Sequence, residues 1–367
     1  MQKAGLWPIL VAIIVAVALV PTMAVAQPTH DATRSEIENL KKRIAALEKD
    51  EVELDEPFSL WALGKRIDFG GLLELEGSWH KSEGGDESSD LQLATIELYA
   101  DVAINDNIGG HLSLLWEEGE TESMEVDQAV ILLRHPYPVW GMHPTFAGGK
   151  MYLPFGNFES VFITDPLTLE LGETNQTAVV LGVEGDFAVL RVGVFNGEVD
   201  TVGDDDSIDS WVASFDIIPA EGLSMGVSYL SDLAESDIGL VTDADLYTSS
   251  VDGIAFYGTW EMNAFVLQAE YVAALRGFSA DVVAAGEDLT GKRPQAWNVE
   301  LAWLPAERWQ LGVKAEGAKD FQDDLQRYGG VVSRGLFRST VLALEYLYGD
   351  SDAEKSHSVM AQLAFQF

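Results

Sequence analysis

The chain has no cysteine, which removes a disulfide framework, a thiolate metal site and a cysteine nucleophile together. It is also poor in positive charge. Only 22 Lys and Arg stand against 60 Asp and Glu in 367 residues, a formal net charge of −38. Phosphate backbones are gripped by clustered cations, so nucleic acid is excluded as a partner. After Val20 there is no apolar run of the ~20 residues that a membrane-spanning helix needs. The acidity does not signal disorder. Acidic disordered chains lack aromatics, whereas this one carries 10 Trp, 10 Tyr and 16 Phe, which must be buried or face lipid.

The first 26 residues have the order of a secretory signal: Lys3, the apolar stretch Leu6–Val20, then Ala24-Val25-Ala26 before Gln27. An uncleaved anchor is the alternative, but the apolar stretch is short for one. Ile37, Leu40, Ile44 and Leu47 follow at spacings of 3, 4 and 3, the a/d pattern of a coiled coil. So short a helix does not stand alone in water; it should pair with copies of itself or pack on the next domain. The segment 27–57 therefore reads as a periplasmic coiled coil with a linker, and 58–367 as the main domain.

From Ile67 the period changes to two. Ile67, Phe69, Leu73, Leu75 and Trp79 share one face, while Asp68, Glu74, Glu76 and His80 share the other. One such strand could belong to a soluble sandwich; repetition argues for a transmembrane barrel. Fifteen further stretches alternate in the same way: 90–104, 108–118, 124–134, 145–153, 177–185, 187–196, 210–218, 223–231, 251–262, 265–275, 295–303, 309–319, 326–336, 340–349 and 357–367. Each approaches the ~9–11 residues of a tilted membrane strand. Long connectors alternate with tight turns, apart from His135–Pro144, and aromatics such as Trp79, Trp116, Trp260, Trp303 and Trp309 fall near strand ends. The fold expected is an all-β antiparallel barrel of about 16 strands in a Gram-negative outer membrane. About forty residues between Ala26 and the first strand leave no room for a plug domain, which argues against energised uptake.

The polar strand faces assign Glu74, Glu76, Glu97, Asp101, Glu117, Asp216, Glu261, Glu270, Glu300, Glu316 and Glu345 to the lumen, against Lys150, Arg191 and Lys314. An acidic channel concentrates cations, although a halophilic habit would also acidify every surface. The third long connector, Pro154–Gln176, holds Phe155, Phe158, Val161, Phe162, Ile163, Leu167, Leu169 and Leu171. Apolar groups avoid water, so this loop should fold inward and present Glu159, Asp165, Glu170 and Glu173 to a constriction, opposed by Lys150 and Arg191. A lid over the mouth or a contact between three copies are the alternatives. His111 and Ser113 share a face but lack a third catalytic member, and Asp204-Asp205-Asp206 lacks calcium-loop spacing. No catalytic residue, metal site or cofactor is expected.

The stretch Gly149-Lys150-Met151-Tyr152-Leu153-Pro154-Phe155-Gly156-Asn157-Phe158-Glu159, with Thr164-Asp165-Pro166-Leu167-Thr168-Leu169-Glu170-Leu171-Gly172-Glu173-Thr174, resembles the LbtU family of siderophore porins. The likeness extends to Ser89–Ala103, Val126–Leu132, Val194–Gly197 and the coil; Gln128 and Val130 depart from the expected acid and aromatic. It implies passive passage of an iron-siderophore or a similar hydrophilic solute and transfers no binding residues. A general diffusion porin and a structural protein tethered through its coil are the rival readings. The partners expected are outer-membrane lipid, the solute and two further copies of the chain.

Overall fold

A computed structural model describes residues 66–367 except 86, 120, 200, 203–206, 242–246, 280–282 and 285–286. The expected signal segment, coiled coil and linker lie outside the described residues. Chain order runs β1 (Ile67–Ser82), β2 (Glu87–Asn105), β3 (Ile108–Glu117), β4 (Glu125–Arg134), β5 (His143–Tyr152), α1 (Leu167–Gly172), β6 (Asn175–Glu184), β7 (Ala188–Phe195), β8 (Ser210–Ala220), β9 (Leu223–Leu230), β10 (Gly253–Met262), β11 (Phe265–Ala274), a two-residue ribbon of β12 (Val283–Ala284) and β13 (Glu287–Asp288), β14 (Gln295–Ala306), β15 (Trp309–Lys319), β16 (Gln326–Phe337), β17 (Thr340–Asp350) and β18 (Lys355–Gln366). Sixteen of these strands form a closed antiparallel barrel, each beside its chain neighbours, with β1 sealed to β18. The seam pairs Leu72 with Gln366 through to Ser82 with Ser356. Closure leaves no sheet edge unpaired in lipid.

The polarity is that of a protein turned inside out. Outward rows carry exposed apolar side chains such as Leu181 (60% exposed), Val313 (58%), Leu301 and Leu363. Contiguous apolar surface on this scale is stable only against hydrocarbon. The inward rows carry the buried polar groups, among them Ser113, Ser214, Ser228, Asn298, Glu300, Lys314, Glu316 and Glu345. The expected strands agree with the observed ones to within about three residues at each end. The connector at 135–142 is a true turn, closed by His135 N–H donating to the Pro144 carbonyl and by a bridge between Val139 and Met142.

At the end with long connectors, several loops pack on one another and on the inner wall. Phe155, Leu167 and Leu171 of the third connector join Leu233, Leu240, Tyr247 and Val251 of the β9–β10 connector, together with Phe278, Leu289 and Phe321. They rest on the inward Phe195, Val212, Leu230 and Val272. Phe155, Leu167 and Leu171 alone contribute about 5–9 kcal/mol of apolar burial before the entropy of ordering the loop is subtracted. That is why a connector this apolar turns into the barrel.

Candidate functional site: the third loop and the lumen wall

The third loop, residues 153–174, runs along the inner wall from β11 to β17, and its backbone is held there by carboxylates. Glu270 accepts from the N–H groups of Asn157 (2.8 Å) and Phe158 (3.1 Å) and from Thr168 Oγ1 (3.0 Å). Glu300 accepts from Ser160 Oγ (2.7 Å) and Val161 N–H (2.9 Å). Glu345 accepts from Ile163 N–H (2.6 Å), Thr164 N–H (3.2 Å) and Thr164 Oγ1 (2.5 Å). Glu316 accepts from Leu167 N–H at 2.8 Å, at the start of α1. A non-helical segment lying on a completed sheet has no strand partner for its amides. Inward carboxylates supply acceptors, and bonds to an ionised acceptor are the stronger kind.

Two cations complete the anchorage. Lys314 Nζ, in a fully buried side chain, lies 3.5 Å from both Glu300 and Glu316. It donates to the Thr164 carbonyl at 3.1 Å and sits 4.7 Å over the Phe162 ring. Arg327 Nη2 donates to the Asp165 carbonyl (2.9 Å) and to Glu170 (3.1 Å), and its Nε is 2.8 Å from Glu316. Gly156 makes the entry to the loop possible. Its φ is +76°, and a Cβ there would sit 2.3 Å from the Phe158 ring.

The register puts all eleven expected carboxylates on inward rows, nine of them in two groups, with Asp216 and Glu261 apart from both. Glu270, Glu300, Glu316 and Glu345 lie beneath the loop and are at most 9% exposed. Glu74, Glu76, Glu97, Asp101 and Glu117 lie on β1–β3, across β18 from the anchored wall. There Glu76 accepts from Gln362 (2.8 Å) and Asp101 from His111 (2.7 Å). Asp216 is tied to Arg191 (3.2 Å) and the Tyr257 hydroxyl (2.7 Å), and Glu261 is exposed at the opposite mouth. Asp165, exposed on the loop, is within electrostatic reach of Glu74 and Glu76. Glu159 accepts from Gln268 at 3.1 Å. Burial lifts Glu173 to about 7, helped by the Asp237 and Asp165 carboxylates. Burial also raises Glu170, against the pull of Arg327.

The two cations expected to oppose the loop do not. Lys150 is paired in register with Ala129 and Thr177, in line with outward Leu112 and out of line with buried Val130. It therefore belongs to the membrane-facing row, and its Nζ donates to the Val126 carbonyl. Gly148 and Gly149 beside it have no side chains to mark a face, which is why alternation misplaced it. Arg191 is inward but spent on Asp216 and Glu184. Arg327, which does meet the loop, was missed, although it shares a row with Gly329 and Val331. His111 and Ser113 are engaged separately, by Asp101 and Asp127.

A sixteen-stranded barrel with a loop pinned against its inner wall defines the porin type of outer-membrane fold. Among solved structures the chain is similar to the outer membrane channel DcaP of Acinetobacter baumannii, with a TM-score of 0.59 and 14% identity over 82% of this chain and 97% of that one. It is similar also to OmpF of Salmonella typhi in complex with daunomycin (0.61, 11%, 82% and 97%) and to a loop-deleted OmpT, an outer membrane protein of Vibrio cholerae (0.56, 14%, 82% and 99%). At these identities the likeness is one of fold. No family model matches the chain. In sequence it is similar to the UPF0422 protein of Coxiella burnetii, 25% identical over 304 residues, 77% of this chain and 63% of the relative. A UPF0422 protein of Legionella pneumophila strain Lens is 23% identical over 296 residues, 70% of this chain and 54% of the relative. The chain thus spans between about half and just under two thirds of the length of these relatives.

Proposed function

We propose that this protein is a passive outer-membrane pore in which solute passes between the third loop and the β1–β3 wall. The observation that carries this reading is the anchorage of the loop by Glu270, Glu300, Glu316 and Glu345. The anchored loop occupies one side of the lumen and leaves Glu74 and Glu76 within electrostatic reach of Asp165. Carboxylates on both sides of a narrow aqueous path favour cations over anions. Reversal potentials in planar bilayers test this: cation preference should grow at low salt, where screening is weak, and anion preference would overturn the reading. The likeness of the loop to siderophore porins supports a ferric siderophore as the solute. Uptake of labelled ferric siderophore should then respond more strongly than uptake of a small sugar to shortening the loop between Asn157 and Thr174. Equal responses favour a general diffusion pore. The likeness to porins also supports assembly as a trimer, which cross-linking in detergent would reveal.

A further inference from the structure

Between the third loop and the barrel wall lies a cavity of about 10 Å³, lined by Asn157 and Glu159 of the loop and by Tyr257, Gln268, Glu270 and Asn298 of β10, β11 and β14. That is room for one occupant the size of a water molecule. The register sets the wall residues side by side, with Glu270 between Tyr257 and Asn298. Their donors are turned to other partners. The Tyr257 hydroxyl donates to Asp216 at 2.7 Å, Asn298 Nδ2 to Glu300 at 3.0 Å and Gln268 Nε2 to Glu159 at 3.1 Å. What is left is a set of acceptors. Asn298 is 2% exposed, and its Oδ1 has no hydrogen-bond partner, a costly state for a buried amide oxygen. Glu270 keeps about one of its four lone-pair sites after its three bonds to the loop. Glu159 and Glu270 are within electrostatic reach of each other, and among the described residues neither has an ion pair. Lys314, Arg327 and Arg191 are paired with other acids.

We propose that this cavity binds one calcium ion, held by Glu159, Glu270 and Asn298 Oδ1 and completed by the side-chain oxygens of Asn157 and Gln268. Two carboxylates balance the charge of a divalent cation, and amide oxygens make up the rest of the set. Calcium takes about six to eight oxygen ligands, carboxylate and amide alike, in flexible geometry. Magnesium demands a strict octahedron and keeps several waters, which a cavity of this size does not hold. A water molecule would satisfy the Asn298 oxygen but would leave the repulsion between the two carboxylates unanswered. Asn157 and Glu159 are exposed, which gives the ion a way in from the lumen. Once bound, it ties the start of the loop to β11 and β14 beside the bonds that Glu270 already makes. Without calcium, Glu159 keeps its charge toward the passage.

The test is limited proteolysis of the purified full chain in detergent, read as cleavage within residues 157–166, with calcium chloride or with a chelator. Cleavage tracks the population of released loop. At about a hundred times its Kd, calcium should lower that population about a hundredfold, and magnesium at the same concentration should not. Native mass spectrometry should count one calcium per chain that Glu159→Gln lacks. Glu159→Gln and Asn298→Leu should each lose most of the calcium protection, with folding checked by unboiled gel mobility, and Glu159→Asp should keep part of it. Should Asn298→Leu fail to fold, Glu159→Gln, on the exposed part of the loop, decides alone. Equal cleavage of the wild type in calcium and in chelator would mean that the cavity holds only water, and overturns the proposal. So does equal protection by magnesium. Undiminished calcium protection in Glu159→Gln overturns it too, since the ion would then sit at another of the chain's acids.

Discussion

Replacing Glu345 by Ala removes the acceptor for the middle of the third loop and leaves the strand that carries it in place. Three donors lose their partner: the N–H groups of Ile163 and Thr164 and the Thr164 hydroxyl. Bonds to an ionised group contribute about 1.5–3 kcal/mol each, and an orphaned buried donor costs about 1–3 kcal/mol. The three share one carboxylate and relax together, so the net loss is put at about 3 kcal/mol rather than the full sum. At 1.4 kcal/mol per tenfold, that raises the equilibrium constant for local release of the loop on the order of 100-fold. β17 keeps its full ladder with β16 and β18, so the barrel should still form and migrate as a compact band on an unboiled gel. In single-channel recordings the variant should show larger or noisier conductance than the wild type. Glu345→Gln should fall between, because an amide keeps one acceptor but turns a donor toward the loop. A folded Glu345→Ala with wild-type conductance, noise and protease resistance at residues 157–166 would refute the view that these carboxylates hold the loop.

Lys314→Met leaves Glu300 and Glu316 buried without their shared cation, and removing one partner of a buried pair costs about 3–5 kcal/mol; the temperature at which the compact gel band disappears should fall markedly. Gly149→Ala should block assembly, because φ is +137° there and a Cβ would lie 1.9 Å from the Ala129 carbonyl oxygen; a normal yield of folded barrel would contradict this. Burial raises Glu173 from 4.5 to about 7, so it is largely neutral between those values and charges as pH rises through 7. Cation preference should therefore step up near neutral pH, and Glu173→Gln should lose that step. The same shift means that the folded chain holds a proton the unfolded chain has released between about 4.5 and 7. Stability from this group is thus greatest at low pH and declines across that window.

The barrel itself was legible in the sequence, and for a physical reason. A strand between lipid and water repeats its polarity every two residues regardless of what lies elsewhere in the chain, so local pattern suffices. Ile67–Trp79 and Trp309–Lys319 show it without interruption, and the latter is the observed β15 to the residue. The loop could be read only in part. Its eight large apolar side chains announced that it turns inward, and its backbone partners did not announce themselves. Glu345 lies 182 residues from Ile163, and nothing in the neighbourhood of either residue encodes that distance. The meeting depends on the accumulated stagger of the strands between them. Lys150 shows the complementary limit: alternation assigns a face only where neighbours have side chains, and Gly148 and Gly149 have none.

These two levels of legibility separate two roles that the sequence merges. Eleven inward acids look like one population of pore charge, yet four are occupied in binding amides, hydroxyls, Lys314 and Arg327. The field of Glu300 and Glu316 is largely cancelled where it arises, because Lys314 and Arg327 lie within 4 Å of them, while Glu270 and Glu345 are taken up by donors of the loop. The field in the passage then comes from the carboxylates that do not hold the loop backbone: Glu74, Glu76, Glu97 and Asp101 on the wall, and Glu159 and Asp165 on the loop. Anchorage and selectivity should therefore respond to different substitutions. Neutralising Glu74 and Glu76 together should weaken cation preference while conductance noise stays at the wild-type level. Glu270→Ala, which frees the N–H groups of Asn157 and Phe158, should raise the noise and shift the reversal potential little. If both variants moved both quantities alike, the division would be wrong and the lumen would act as a single charged volume in which the position of the loop matters little.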